Sequence, residues 1–428
     1  MIIRALLLLM QLVLAYQNPM PMLTAPNVDV RYNEAVIKQI LDKHCGTGAT
    51  SNIVFPSNSS TAQSRVDFLL KISSLCKESC LPFAARDVWH YHADVYISRD
   101  DGFAFADSAK DLRDHNIISE RLRGCQHRSA PAWACKVFVH TDVMHTESFA
   151  KPLFAYLEKH PRERIILISS SNNDYCVPCM TWTDDLSCAS RLKLLRHPQV
   201  YRWFAENPCI VDPKLEALPL GVNMPTPQHK SQFSTMLANF LPPDSPRRVD
   251  SIMVRLTLRN TDDPLYTPHK NIRKLNLEHI LSLAKAMNES MVTPNLTESV
   301  RWNDYYRELL KYKYAWAPPG RGIDTHRAWE CLLAGCVPIV LNSPISKVYT
   351  GLQVVMVEDF HGLQRRHMRH FSKLIDSRKE SDSVDYLANI LSPMYAFYWL
   401  QRIDESAMLA MTSSNSLLTG QRGEMGPS

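Results

Sequence analysis

A chain of 428 residues is longer than one ordinary hydrophobic core supports, so two or three domains are expected. An apolar fraction of 45% against 21% charged residues is that of a globular protein and excludes a largely disordered chain. The 48 basic and 43 acidic residues leave a net charge of +5 scattered along the sequence, which suits an anionic small ligand and excludes the dense basic footprint of a nucleic-acid binder.

At the N-terminus, Met1–Arg4 carries one positive charge, Ala5–Ala15 is apolar apart from Gln11, and Val13, Leu14 and Ala15 occupy the cleavage positions, so residues 1–15 read as a signal peptide. The run is short for a bilayer span. Contact with a membrane is therefore expected only if the segment is retained as an anchor. Residues 16–31 contain several prolines and read as a linker or stem. Acceptor sites for N-glycosylation at Asn58, Asn288 and Asn295 agree with a place in the secretory pathway, in the Golgi or endoplasmic reticulum lumen, or with secretion. In such an oxidising compartment most of the nine cysteines from Cys45 to Cys209 should form disulfides. The total of eleven leaves at least one free, and Cys336 reads as a buried thiol.

Residues 32–240 read as a first lobe. Asn33–Lys43 has helical spacing, and Arg65–Ile72 suits helix or strand equally. Val88–Ile97 reads as a strand that sets His90, His92 and Asp94 on one face at period two. Such a set could hold zinc or manganese; the favoured reading is a polar face, and no metal is called for. Cys176, Cys179 and Cys188 could likewise form a metal knuckle, with disulfides preferred in a secreted chain. Strand Trp133–His140, helix Phe149–His160 and strand Arg164–Ser169 alternate as a parallel sheet requires. Asp142 and Asp174 follow the ends of those two strands, where parallel sheets bind ligands, and are the candidate catalytic bases. A helix Arg191–Phe204, a strand Leu215–Leu220 and a linker around Pro242–Arg247 follow.

Residues 241–375 read as a second lobe. It opens on a strand Ile252–Leu258, whose Arg255, with Arg259 just beyond, could serve an anion site or lie on the surface. Helix Leu275–Met287 and the segment Trp302–Tyr312 lead to the most informative stretch, Lys311–Leu341. There an aromatic strand with Tyr312, Tyr314 and Trp316 is stopped by Pro318–Pro319. Gly320 and Gly322 flank Arg321 in a tight turn, Asp324 or Thr325 caps a helix running to Ala334, Gly335 ends it, and Val337–Leu341 forms the next strand. A turn of this kind delivers free backbone N–H groups and the positive end of a helix dipole to one point, as a phosphate requires. His326, Arg327 and Glu330 share a helix face there. After it come strand Gln353–Val357, with Glu358 and Asp359 at its end, and a basic helix His361–Ile375 with a solvated face. Residues 376–403 read as an aromatic closing helix and 404–428 as a flexible tail.

The run Pro319-Gly320, then Thr325-His326-Arg327-Ala328-Trp329-Glu330, then Ala334-Gly335-Cys336-Val337-Pro338, resembles the donor-site signature of exostosin-like (family 47) glycosyltransferases. The strong resemblance covers about 50 residues. Leu218–Gly221, Ser171–Tyr175 and Tyr398–Leu400 are similar to other segments of such sequences. The resemblance implies a GT-B fold of two Rossmann-type lobes with a cleft between them. It also implies Arg327 on the donor phosphates, Glu330 on the nucleoside, inversion at the anomeric carbon, and a closing helix that crosses back to the first lobe.

The expected activity is sugar transfer from a nucleotide-sugar, UDP-linked by preference, to a glycan or glycoprotein. No Asp-x-Asp triad is present, so a metal-independent reaction with no cofactor beyond the co-substrate is expected. The alternatives are a catalytically silent lumenal binder of the same fold and a metal-dependent hydrolase built on His90, His92 and Asp94.

Overall fold

The computed structural model describes residues 21–23, 34–45, 64, 67–68, 89, 92–97, 114–126, 134–144, 147–170, 177–179, 186–223, 243–255, 270–287, 302–320, 322–377 and 396–420. In chain order these form strand β1 (Met22–Leu23), helix α1 (Glu34–Cys45), strand β2 (Val95–Ile97), helix α2 (Asp114–Leu122) and strand β3 (Cys135–His140). Helices α3 (Thr141–Met144) and α4 (Glu147–Lys159), strand β4 (Ile165–Ser170), helix α5 (Leu186–Arg196), and strands β5 (Val200–Glu206) and β6 (Leu215–Leu218) come next. Then follow β7 (Val249–Met253), α6 (Lys270–Met287), α7 (Trp302–Leu309), β8 (Tyr312–Trp316), α8 (His326–Leu333), β9 (Val337–Leu341), β10 (Val355–Val357), α9 (Arg365–Asp376) and α10 (Ala396–Gly420).

The chain divides into two compact α/β lobes. The first comprises Arg31–Asn58, Lys71–Gly221 and Tyr395–Ser428; the second comprises Met1–Val30, Ser59–Leu70 and Val222–Met394.

The first lobe holds a parallel sheet in the order β2-β3-β4-β5-β6. Its central strands read as near-continuous apolar runs because parallel strands are covered on both faces. Val137, Val139, Leu167 and Trp203 pack there against Phe149 and Leu153 of α4. Helix α10 belongs to this lobe: Trp399, Leu400, Ile403, Ala407 and Ala410 form a buried stripe, and the N–H of Ala134 donates to the Ala407 carbonyl at 2.9 Å. Disulfides join Cys125 to Cys135 and Cys179 to Cys188, so the second of these pairs, not a metal knuckle, accounts for Cys179 and Cys188.

Three expectations for this lobe are corrected. The helix expected over 191–204 stops at Arg196, where His197-Pro198-Gln199 turns the chain into β5; Lys214 secures the turn by donating to the His197 and Val200 carbonyls at 2.8 Å each. The strand expected from Val88 begins only at Val95, and Trp89 and His92 are helical. Pairing starts at Asp94, whose N–H donates to the Lys136 carbonyl and whose carboxylate accepts from the Lys136 N–H, both at 2.9 Å. Residues 404–420 are helix α10 instead of a frayed tail, because the buried stripe continues past Ile403.

The second lobe orders its strands β1-β10-β9-β8-β7, parallel except for β1, which pairs antiparallel with β10. The segment expected as a linker therefore contains an edge strand. Strand β7 starts three residues earlier than expected, because Val249 already donates to the Lys311 carbonyl at 2.7 Å. Tyr314, Trp316, Ile339, Val355 and Phe371 share one core, with Trp316 edge-on to Phe360 at 5.5 Å. Buried Arg248 donates to the carbonyls of Leu309 at 2.9 Å, Tyr312 at 2.6 Å and Ala334, so one cation closes the C-terminal ends of α7 and α8. Gly335 follows with a φ of 74°, the left-handed stop that glycine favours. One 3-10 turn replaces the start of the single helix expected over 361–375. Asp359 caps a 3-10 turn at Phe360–Gly362, and α9 then buries Met368, Phe371 and Ile375 while exposing Arg365, Arg366, Arg369 and Lys373. Among the described residues no helix is long and apolar enough to cross a membrane.

Candidate functional site

The glycine turn after β8 is shaped by proline, glycine and one buried carboxylate. Ala317 still donates to the Ile339 carbonyl at 2.9 Å, and Pro318 and Pro319 then end the pairing. The Gly320 N–H donates to the carbonyl of buried Gly322 at 2.8 Å, closing the turn. Asp324, 2% exposed, accepts from the Thr325 N–H at 2.8 Å, from the Trp329 indole at 2.8 Å and from the Tyr349 hydroxyl. Trp329 stacks on Tyr349 at 5.4 Å. Asp324 thus builds the turn and fixes how α8 enters it.

Thr325 is the N-cap of α8, yet its hydroxyl makes no capping bond and is buried without a partner. His326 opens the helix, half-buried. Arg327 lies over the Tyr305 ring at 5.4 Å, and its Nη1 is buried without a partner. Glu330, one turn on and 6% exposed, has its carboxyl pushed up to about 7 by burial, although Arg327, Tyr305 and the Asn223 backbone N–H all oppose the rise. The Tyr305 hydroxyl lies beside Glu330 outside hydrogen-bonding geometry and is a further buried polar atom with no partner. Burial pushes the Tyr305 and Tyr306 phenols well above their ordinary range. Thr325, Tyr305 and Arg327 thus leave three polar atoms unsatisfied around one helix start, where a buried unpaired group ordinarily costs about 1–3 kcal/mol.

The sequence reading missed Arg273. It stands in the first turn of α6, its Nε donates to the Pro319 carbonyl at 2.9 Å, and burial together with the charge of Arg327 lowers its pKa to about 10. The available signal was a basic residue opening the crossover helix after β7; starting that helix at Leu275 left Arg273 in a loop.

Arg255 does not join Arg327. It ion-pairs with Glu308 of α7, and both charges act on Tyr312 at the start of β8. Glu358 accepts from Asn342 at 2.6 Å and Asp359 caps its own turn, so neither carboxylate serves the site. Arg259, Arg321, Asp174 and His90 lie outside the described residues. Asp142 falls in α3, directly beyond the carboxyl end of β3, with only its backbone described. Titratable groups that are described at that sheet edge are half-buried His140, ending β3, and buried Glu206, ending β5, which accepts from the Trp89 indole at 3.1 Å.

His92 is committed elsewhere. Its Nε2 meets Asp404 Oδ1 at 2.8 Å, and the Lys136 ammonium donates to the same oxygen at 2.7 Å, all three side chains being buried. Burial alone would raise the Asp404 carboxyl, but His92 and Lys136 hold it down to about 2. The metal set expected from His90, His92 and Asp94 is therefore not assembled among the described residues: His92 faces Asp404, and Asp94 is tied to the backbone of β3.

No protein-family model matches the sequence, and no curated relative matches it. Among solved structures, the chain is similar to an α,α-trehalose 6-phosphate synthase from Burkholderia multivorans at 10% identity and a TM-score of 0.34, over 74% of this chain and 80% of that one. A UDP-forming α,α-trehalose-phosphate synthase from Burkholderia xenovorans, in complex with glucose-6-phosphate, is similar at 9% identity and a TM-score of 0.35, over 71% and 78%. A UDP-N-acetylglucosamine 2-epimerase from Listeria monocytogenes is similar at 13% identity and a TM-score of 0.26, over 74% and 80%. The fold assignment rests on the two parallel sheets themselves.

Proposed function

We propose that the protein is a glycosyltransferase that takes a nucleotide-sugar, UDP-linked by preference, and moves its sugar to a glycan or glycoprotein. The observation that carries the reading is the unpartnered Arg327 Nη1, buried at the start of α8 beside a glycine turn. A guanidinium and a helix N-terminus converge where a leaving diphosphate gathers charge, and preorganised charge of this kind accounts for much of enzymatic rate enhancement. Glu330 deeper in the site is suited to accept from hydroxyls of the nucleoside. The resemblance to exostosin-like enzymes and the two α/β lobes support the same reading.

In this proposal the reaction inverts the anomeric carbon. A general base takes the acceptor's proton as the acceptor oxygen attacks and the nucleoside diphosphate departs. Asp142 and Asp174 remain the carboxylates proposed for it. The setting is the secretory pathway, with neither metal nor cofactor required. Incubating the protein with a panel of nucleotide-sugars, and following both thermal stabilisation and release of nucleoside diphosphate, tests the proposal. Stabilisation by one donor with turnover on a glycan acceptor is the expected result. Donor binding without hydrolysis or transfer would identify a silent binder of the same fold, and indifference to every donor would remove the reading.

A further inference from the structure

Arg273 and Arg327 come from two different helices and are close enough for the charge of one to disfavour protonation of the other, although like charges in a buried site repel. Two features hold Arg273 there. Its Nε is anchored on the Pro319 carbonyl at 2.9 Å, and the space its Nη2 fills exists because residue 320 is glycine: a Cβ at that position would lie 2.5 Å from Nη2. The φ of Gly320 is not in the left-handed region, so its backbone does not demand glycine, whereas the guanidinium does. Glu330, on the Arg327 face of α8, has its carboxyl pushed up to about 7 by burial.

Resting on the proposed donor site, we infer that Arg273 is its second anion ligand, and that Arg273 and Arg327 together form a two-armed clamp for a diphosphate, with Gly320 as the spacer that admits the second arm. A dianion bridging the guanidiniums would relieve their repulsion and satisfy Arg327 Nη1, and a planar guanidinium is suited to two-point contact with phosphate oxygens. A single phosphate or a neutral nucleoside would engage the clamp only in part. The ligand class is therefore a diphosphate ester, whether of a nucleoside or of a polyprenol.

The test measures affinity by thermal shift and calorimetry for inorganic pyrophosphate, UDP, a short isoprenyl diphosphate and uridine. The proteins are the wild type, Arg273→Gln, Gly320→Ala and the double variant. Loss of a charge-assisted contact predicts pyrophosphate and UDP binding about 10- to 100-fold weaker in each single variant, with uridine unaffected. Because Gly320→Ala acts by displacing Arg273, the double variant should bind no more weakly than Arg273→Gln alone, a coupling that general loosening of the fold would not produce. Arg273→Lys should recover only part of the loss, since it returns charge without the fork. The UDP and isoprenyl arms separate the two sources of diphosphate. Wild-type pyrophosphate affinity in Arg273→Gln, or strictly additive losses in the double variant, would overturn the clamp and leave the transferase reading standing. A clamp that binds pyrophosphate through both arginines in a protein that transfers no sugar would do the reverse.

Discussion

Each lobe buries a carboxylate beside a cation, and the two carboxylates are driven in opposite directions. Asp404 in the first lobe takes Lys136 at 2.7 Å and His92 at 2.8 Å on one oxygen and is held down to about 2. Glu330 in the second lobe has Arg327 on its own helix face, is incompletely met by donors, and is pushed up to about 7. Burial acts on both alike, so the partners make the difference. A saturated cluster such as that of Asp404 fastens α10 to β3 and to the turn before β2. A cluster that leaves Arg327 Nη1 and the Tyr305 hydroxyl unsatisfied suits the proposed role of receiving a ligand.

Removing one charge from each cluster should have opposite consequences in the two lobes. Arg327→Ala should lower turnover by about 10²- to 10³-fold while the melting temperature stays near that of the wild type, as measured by donor-dependent nucleoside diphosphate release and calorimetry. Asp404→Ala should do the opposite. It leaves Lys136 and His92 buried without their carboxylate and should cost about 3–5 kcal/mol in urea unfolding.

The pH dependences sharpen the same contrast. Asp404 has a depressed folded pKa, so its contribution of about 2 kcal/mol is present above its unfolded value near 3.8 and is lost as pH falls towards about 2. Asp404→Asn should flatten that acid limb. Glu330 has a raised folded pKa, so stability is lost as pH rises from about 4.5 through about 7. Glu330→Gln should therefore stabilise the fold by about 1–2 kcal/mol at pH 8 while weakening donor binding, a gain that thermal melts at pH 5 and pH 8 would show growing with pH. The smallest effect belongs to Thr325→Ala. Its hydroxyl makes no capping bond and is buried without a partner, so its removal should leave stability within about 0.5 kcal/mol of the wild type or slightly above it in thermal melts.

The apolar runs of β3, β4, β8 and β9 were legible because strands buried on both faces carry their signal in consecutive residues. The turn after β8 was legible because Pro318 and Pro319 cannot continue the ladder, and the stop at Gly335 because glycine accepts the left-handed φ of a helix end. The start of β5 was not, since Leu194, Leu195 and Trp203 suit a continuous helix until Pro198 and Lys214 turn the chain. The extent of α10 was hidden because the sequence beyond Ile403 is mixed in polarity, and only the fold shows that Ala407 and Ala410 are buried.

From residues alone came the two α/β lobes and the strand-turn-helix carrying Arg327 and Glu330, since each is written in short-range pattern. Only tertiary structure decided that Arg255 belongs to Glu308, that Arg273 joins Arg327, and that Asp404 holds His92 across 312 residues of sequence. Charge pairing depends on distance in space, which no local period of side chains encodes.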